Sequence, residues 1–214
     1  TYFERDLPNL GFPADSLTGE RLWTMLAHYH GNLLNYAELG RSLELNINTI
    51  KSYIGFLRNA FLIRIIEPFY TNIKKRLVKS PKVYIRDSGI MHYLSGIENP
   101  EQLTGHPKQG ASWEGFVIEQ IIPLLPVNRK VWFYRTHDGA ELDMVVTRGN
   151  RPVASIEIKY GSDARPTRGN TEAVQTLKTS HNYIIIKDDD DYLLSGGFRV
   201  CGLRVFLDKY INSQ

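Results

Sequence analysis

The spacing of apolar positions changes character partway along the chain. From Ser16 to about Leu94 it is mostly helical. Leu22, Leu26 and Tyr29 recur at helical intervals behind Thr18, a capping candidate, and Gly31 closes the run. A second helix is predicted over residues 35–43, with Leu39 and Leu43 on one face. A third begins at Asn48, a favourable N-cap residue, and carries Ile50, Ile54, Leu57 and Phe61. The short connection Glu44-Leu45-Asn46-Ile47 reads as the turn of a helix-turn-helix. Residues 62–69 are then rich in strand formers, residues 71–81 make a basic loop, and residues 82–86 a short strand. Three helices followed by a two-stranded ribbon is the winged-helix arrangement, a unit that binds either DNA or protein.

Between residues 98 and 110 the pattern fades into polar residues, Pro and Gly, which places a domain boundary there and divides the chain into 1–97 and 98–214. Beyond it come an apolar-striped helix over 113–125 and three strands over 130–136, 142–147 and 152–159. A helix over 172–178, a buried strand over 183–186, and a strand over 199–206 leading to a short terminal helix complete the chain. This half is predicted to be α/β, in the order helix, three strands, helix, strand.

The stretch that carries chemistry is Glu141-Leu142-Asp143-Met144, a turn at Gly149-Asn150-Arg151, then Ile156-Glu157-Ile158-Lys159. Side chains alternate faces along a strand. Leu142, Met144 and Val146 then form a core face with Ala154, Ile156 and Ile158, and Glu141, Asp143, Glu157 and Lys159 fall on the other. A hairpin centred near Asn150 pairs residues whose numbers sum to about 300, which sets Asp143 opposite Glu157 and Glu141 opposite Lys159. Two carboxylates held face to face repel unless a cation joins them. Mg²⁺, or Mn²⁺ in its place, takes oxygen ligands of this kind and can activate water toward a phosphodiester. A lysine on the same face can orient that water or neutralise developing charge. The alternative is an ordinary Glu141–Lys159 ion pair with two solvated carboxylates.

Charge adds a second candidate surface. The net charge is only +3, but residues 1–110 hold 13 Lys/Arg against 10 Asp/Glu, while residues 111–214 hold 13 against 13. Much of the excess is Lys74, Lys75, Arg76, Lys79 and Lys82, dense enough for a DNA-contacting wing. The single cysteine, Cys201, excludes a disulfide framework and a cysteine-rich zinc site and fits a reducing, cytoplasmic compartment. It lies in an apolar strand and reads as an inert core residue. The six histidines lack metal-ligand spacing. Asp188–Asp191 reads as a solvated turn. No apolar run reaches transmembrane length and no signal peptide is visible. The chain starts at Thr1 without methionine, which points to a fragment of something longer.

An acid on a helix, an Asp near a strand end and Glu-x-Lys on the next strand resemble the PD-(D/E)XK nuclease superfamily, whose restriction-endonuclease-like fold has the element order predicted here. The resemblance implies that Glu114 takes the helix position, with Glu119 competing for it, and that Asp143, Glu157 and Lys159 take the strand positions. Metal would lie on Asp143, Glu157 and Glu114, with Gln175 and Glu141 in support. More widely, Thr1-Tyr-Phe-Glu-Arg-Asp6, Tyr84-Ile-Arg-Asp-Ser-Gly89, Trp113-Glu114-Gly-Phe, Tyr134-Arg135-Thr136 and Glu141-Leu-Asp143 resemble the C-terminal region, a domain of unknown function, of bacterial and archaeal AAA-type P-loop ATPases. That resemblance implies an N-terminal ATPase domain outside this chain as its partner. No G-x-x-x-x-G-K-[ST] occurs here, so no ATP site is expected in these residues. The expected architecture is α/β (α+β): a winged helix-turn-helix, then a restriction-endonuclease-like domain. The expected function is Mg²⁺-dependent DNA cleavage, or, as the alternative, recognition of nucleic acid or protein without cutting.

Overall fold

A computed structural model describes residues 2–70, 77–161 and 164–211. The chain forms two compact units, residues 1–65 with 81–106, and residues 66–80 with 107–214. The mixed α+β composition expected from the pattern is present in helices and two sheets.

In the first unit, the helical turn α1 (Leu7–Asn9) precedes α2 (Ser16–Tyr29), β1 (Asn32–Leu33), α3 (Tyr36–Ser42) and α4 (Ile47–Asn59). Strands β2 (Ile63–Ile66) and β3 (Lys82–Ile85), then α5 (Ser88–Leu94) and α6 (Pro100–Leu103), follow. Capping differs from the expected positions. Asp15, not Thr18, caps α2, its carboxylate accepting the Thr18 amide at 3.0 Å. Asn46, not Asn48, caps α4 by accepting the Thr49 amide at 2.9 Å. In both cases the capping oxygen must reach the amide three residues on, so the cap lies just outside the first helical turn. The α3–α4 turn is tight: a Cβ on Gly40 would sit 2.7 Å from the Leu45 carbonyl, which only glycine avoids. Leu22, Leu26, Ile50, Leu57, Val83 and Ile85 share one core. The sheet has three strands rather than two, in the order β1-β3-β2. His30 is buried and structural, its Nδ1 accepting the Ile85 amide at 3.0 Å.

The second unit holds α7 (Gln109–Ile121), β4 (Arg129–Arg135), β5 (Glu141–Arg148), β6 (Arg151–Ile158), α8 (Arg168–Leu177), β7 (His181–Ile186), β8 (Asp191–Leu193), β9 (Phe198–Gly202) and α9 (Leu203–Lys209). Its six-stranded sheet has the order β4-β5-β6-β7-β9-β8. β4, β5 and β6 run antiparallel, while β6, β7 and β9 are parallel. Residues 66–80 belong here because they pair with β4. Phe69 N donates to Phe133 O at 2.7 Å, Phe133 N to Glu67 O at 3.1 Å, and Val78 N to Arg135 O at 3.1 Å. The expected division at 97/98 leaves this segment with the first part of the chain. The hydrogen bonds that set its membership are made by backbone groups, which side-chain patterning does not reveal.

Asp188–Asp191 is more than a solvated turn. Asp191 opens β8 and bonds Arg199 at 2.8 Å, Lys209 at 3.0 Å and the Tyr210 hydroxyl, which together pull its carboxyl down to about 2. Asp189 pairs with Arg204 at 2.8 Å. Cys201 is fully buried, and burial pushes its thiol up to about 12.

Candidate metal centre

The β5–β6 turn places Gly149 at φ +60°, a conformation that glycine takes freely. Pairing follows the predicted register: Met144 faces Ile156, Val145 faces Ser155, and Val146 faces Ala154. Past Met144–Ile156 a side chain takes over from the backbone ladder. Asp143 Oδ2 accepts the Ile158 amide at 2.9 Å, while on the opposite edge of β6 Lys159 N donates to Ile185 O at 2.9 Å. The end of β6 is thus held between a carboxylate and β7.

The alternation of faces does not run as predicted. Trp132 faces Val145 and Tyr134 faces Leu142, so two steps along β4 span three along β5. This bulge returns Leu142 to the side of Val145, and both pack with Tyr134, Ala173 and Leu177. Leu142 therefore does not share a face with Met144 and Val146. Asp143 lies within the bulged stretch and is 8% exposed. β5 is buried on both faces from Leu142 to Thr147, so the acidic side of the hairpin is not a solvated surface.

Glu157 lies beside Ile184 of β7. Its Oε2 is shielded from solvent and has no hydrogen-bond partner. Burial first, then the charge of Asp143, push its carboxyl up to about 9. Glu141 adds to the rise, and an Asn170 hydrogen bond and the Lys159 charge oppose it. At neutral pH Glu157 consequently keeps its proton. The Lys159 ammonium donates to the Arg165 backbone carbonyl.

Asn170, which sequence reasoning missed, ties this site to α8. It completes a capping box with Thr167, and its Nδ2 donates to Glu141 O at 2.9 Å. The start of α8 is pressed onto the β4–β5 turn, where a Cβ on Gly169 would meet the Gly139 carbonyl at 2.3 Å. Gln175, expected in support, is exposed, on the opposite side of α8 from the buried Asn170, Ala173 and Leu177. The signal that was available is Thr167-Arg-Gly-Asn170, a capping box with Asn where Glu or Gln is usual.

The other predicted residues fall in several different settings. Glu114 and Glu119 are half-buried on α7, whose Trp113 ring meets that of Tyr160 at 6.4 Å. Among the described residues no group of three or more His, Cys, Asp or Glu side chains is placed to hold a metal, so Glu114 does not complete a set with Asp143 and Glu157. Glu141 faces Arg135 across β4–β5, with its carboxylate 3.7 Å from that guanidinium, rather than standing opposite Lys159 in the ladder. Lys82 is 2% exposed inside β3 and so is not on a basic surface; the period of two gave no warning because β3 is buried on both faces. Lys79 is exposed. Lys74, Lys75 and Arg76 lie outside the described residues.

A buried, unpartnered carboxylate oxygen next to a second carboxylate is a donor set suited to a hard divalent cation. Mg²⁺ is commonly held by one or two carboxylates with waters filling its other positions. Asp143 and Glu157 fit that habit without a third ligand.

Residues 1–101 match the family described as "Domain of unknown function (DUF8612)", and residues 109–206 match "Domain of unknown function (DUF4143)". The chain is 42% identical over 195 residues to "Uncharacterized protein Rv2008c" of Mycobacterium tuberculosis, and equally to "Uncharacterized protein Mb2031c" of Mycobacterium bovis. Each match covers 91% of this chain and 44% of the relative, so the chain spans less than half the length of these curated relatives. A solved structure described as "Refined half-complex from tetradecameric assembly of Thermococcus gammatolerans McrB AAA+ hexamers with bound McrC" aligns over 89% of this chain and 72% of that chain. Its identity is 12% and its TM-score 0.32, too remote to inform fold or function. Among the described residues no helix is long and apolar enough to cross a membrane. The chain is similar, in its two successive parts, to two families of unknown function, and as a whole to longer mycobacterial proteins.

Proposed function

We propose that the second unit is a PD-(D/E)XK-type phosphodiesterase module that acts on DNA, with Asp143 and Glu157 as the metal ligands. The observation that carries this reading is the shielded Oε2 of Glu157, left without a partner beside Asp143 where β5 and β6 separate. Asp143 is positioned by the Ile158 amide, and Glu157 must give up its proton before it can ligate. When bound, Mg²⁺ or Mn²⁺ supplies Lewis-acid polarisation of the phosphate and a more acidic water. Lys159, one strand position beyond Ile158, brings positive charge to the end of the same strand. The first unit, with its helix pair and β2–β3 ribbon, serves as a DNA-binding winged helix. An ATPase domain in the remainder of a longer protein would drive the module, in keeping with the greater length of the mycobacterial relatives.

A non-cleaving binding module is the second reading. Glu114 standing outside the carboxylate pair and the Lys159 ammonium bonded to Arg165 O both favour it.

Calorimetric titration of Mg²⁺ and Mn²⁺ into the wild type and Asp143→Asn, beside thermal melts and a cleavage assay on duplex and single-stranded DNA, separates the two. Asn keeps an oxygen for the Ile158 amide, so the fold should survive. Metal affinity is expected to fall roughly tenfold or more, since the variant loses one of only two charged ligands. Equal metal binding by both proteins sinks the metal-site reading.

A further inference from the structure

At the turn end of the β5–β6 hairpin, away from the carboxylates, lies a pocket of about 520 Å³ lined by Phe69, Tyr70, Trp132, Asn150 and Thr176 among others. This volume lies within the range of small-molecule sites and accommodates one nucleotide. The Phe69 and Trp132 rings meet edge to face at 6.1 Å. Trp132 is anchored by its indole N–H, which donates to Thr147 Oγ1 at 3.1 Å. Tyr70 is 56% exposed, and its hydroxyl donates to the Lys79 carbonyl at 3.4 Å. The pocket therefore presents aromatic surface held by specific contacts, with an amide and a hydroxyl side chain among its lining residues.

Charge at the adjoining ends of β4, β5 and β6 is one-sided. Register places Arg129 opposite Arg148, and Arg148 opposite Arg151, a row of three arginines across β4, β5 and β6. Like charges directly opposed across a sheet destabilise it. Residues 128–132 and 147–152 contain no acid, and Arg129 bonds a neutral group, Asn128 Oδ1, at 2.7 Å. Arg148 and Arg151 are exposed. A ligand that combines a flat ring with phosphates would satisfy both features, because bases stack on aromatic side chains while the backbone follows positive charge. Duplex DNA does not offer its ring faces in this way; an unpaired nucleotide does.

We propose that this pocket takes one unpaired base of a single strand, with the flanking phosphates on Arg148 and Arg151. The proposal rests on the nucleic-acid reading above and makes the strand end or an opened duplex the form this module engages. The test is fluorescence and anisotropy titration of the full chain with a labelled 12-nucleotide oligo-dT, a matching oligo-U and a blunt 12-base-pair duplex. Wild type, Tyr70→Ala and Arg148→Ala/Arg151→Ala are compared. The single strands are expected to bind more tightly than the duplex. Tyr70→Ala should weaken single-strand binding by about tenfold, with an unchanged melt because Tyr70 is mostly exposed. The double arginine variant should lower the salt slope by up to about 1.4, near 0.7 for each lost phosphate contact on a single strand. Preference for oligo-dT or oligo-U tells whether the strand is DNA or RNA and supports the pocket in either case. Oligonucleotide affinity unchanged in both Tyr70→Ala and the arginine variant overturns it. Metal-dependent cleavage of duplex without single-strand binding overturns the pocket and leaves the metal centre standing. Single-strand binding without cleavage supports the pocket and overturns the nuclease reading in favour of the non-cleaving module.

Discussion

A carboxyl that keeps its proton up to about pH 9 makes the folded chain a tighter proton binder at Glu157 than the unfolded chain, where a glutamate titrates near roughly 4.3. Its contribution to stability is fully present below the unfolded value, declines as pH rises, and is lost once pH passes the folded value. With a chelator present, the melting temperature of the wild type should therefore fall between pH 6 and 9 relative to Glu157→Gln, whose amide does not titrate. Melts across that range check this, and parallel profiles would refute it. Asp143, Glu141 and Lys159 are the charged groups that act on Glu157, so the Asp143→Asn variant should show a shallower decline than the wild type. Asp143 and Glu157 could be singled out in the sequence as carboxylates near one end of a hairpin that turns at Asn150, but the bulge in β5 breaks the period of two that was expected to pair them. The protonation was not legible, since it follows from burial of the Glu157 carboxyl and the charge of Asp143 near it, and an Ile-Glu-Ile pattern looks the same on an exposed strand.

On the scale of single elements, α8 is where sequence and structure part most clearly. Gln175 was expected in a supporting role by resemblance, yet helical geometry turns it to solvent and brings Asn170 inward. Asn170→Ala removes half of the capping box, the Thr167 amide bond to Asn170 Oδ1, at about 1 kcal/mol, and the Nδ2 bond to the Glu141 carbonyl, at about 1–3 kcal/mol. Urea denaturation should show a loss of about 2–4 kcal/mol for Asn170→Ala and a change within about 0.5 kcal/mol for Gln175→Ala. The reverse ranking would mean that Gln175 matters more than its exposed position implies. Strand β8 and the β5 bulge were also invisible to periodicity. β8 is three residues long and begins in an acidic run, and a bulge depends on the partner strand, which the β5 sequence does not record.

For the molecule as a whole, the separation into a mainly helical part and an α/β part was readable, because the apolar period changes between them. The allegiance of residues 66–80 was not. β4 is an outer strand of the six-stranded sheet, and this segment occupies its free edge through Phe69, Glu67 and Val78. Unprotected strand edges recruit other chains. A fragment of residues 107–214 should therefore self-associate or precipitate at concentrations where the full chain stays dispersed, even though every residue of the proposed metal centre is present. Light scattering and sedimentation would check this, and a monodisperse fragment would show that the edge needs no cover.

The same arrangement has a consequence in time. Each unit is interrupted by a piece of the other, so neither is a single uninterrupted stretch of chain. During synthesis, which proceeds from the N-terminus, residues 66–80 emerge before the strand they will cover. The first unit cannot close until residue 106 is free. The guard for the sheet edge is thus made first and waits, so when β4 leaves the ribosome its natural partner is already beside it on the same nascent chain.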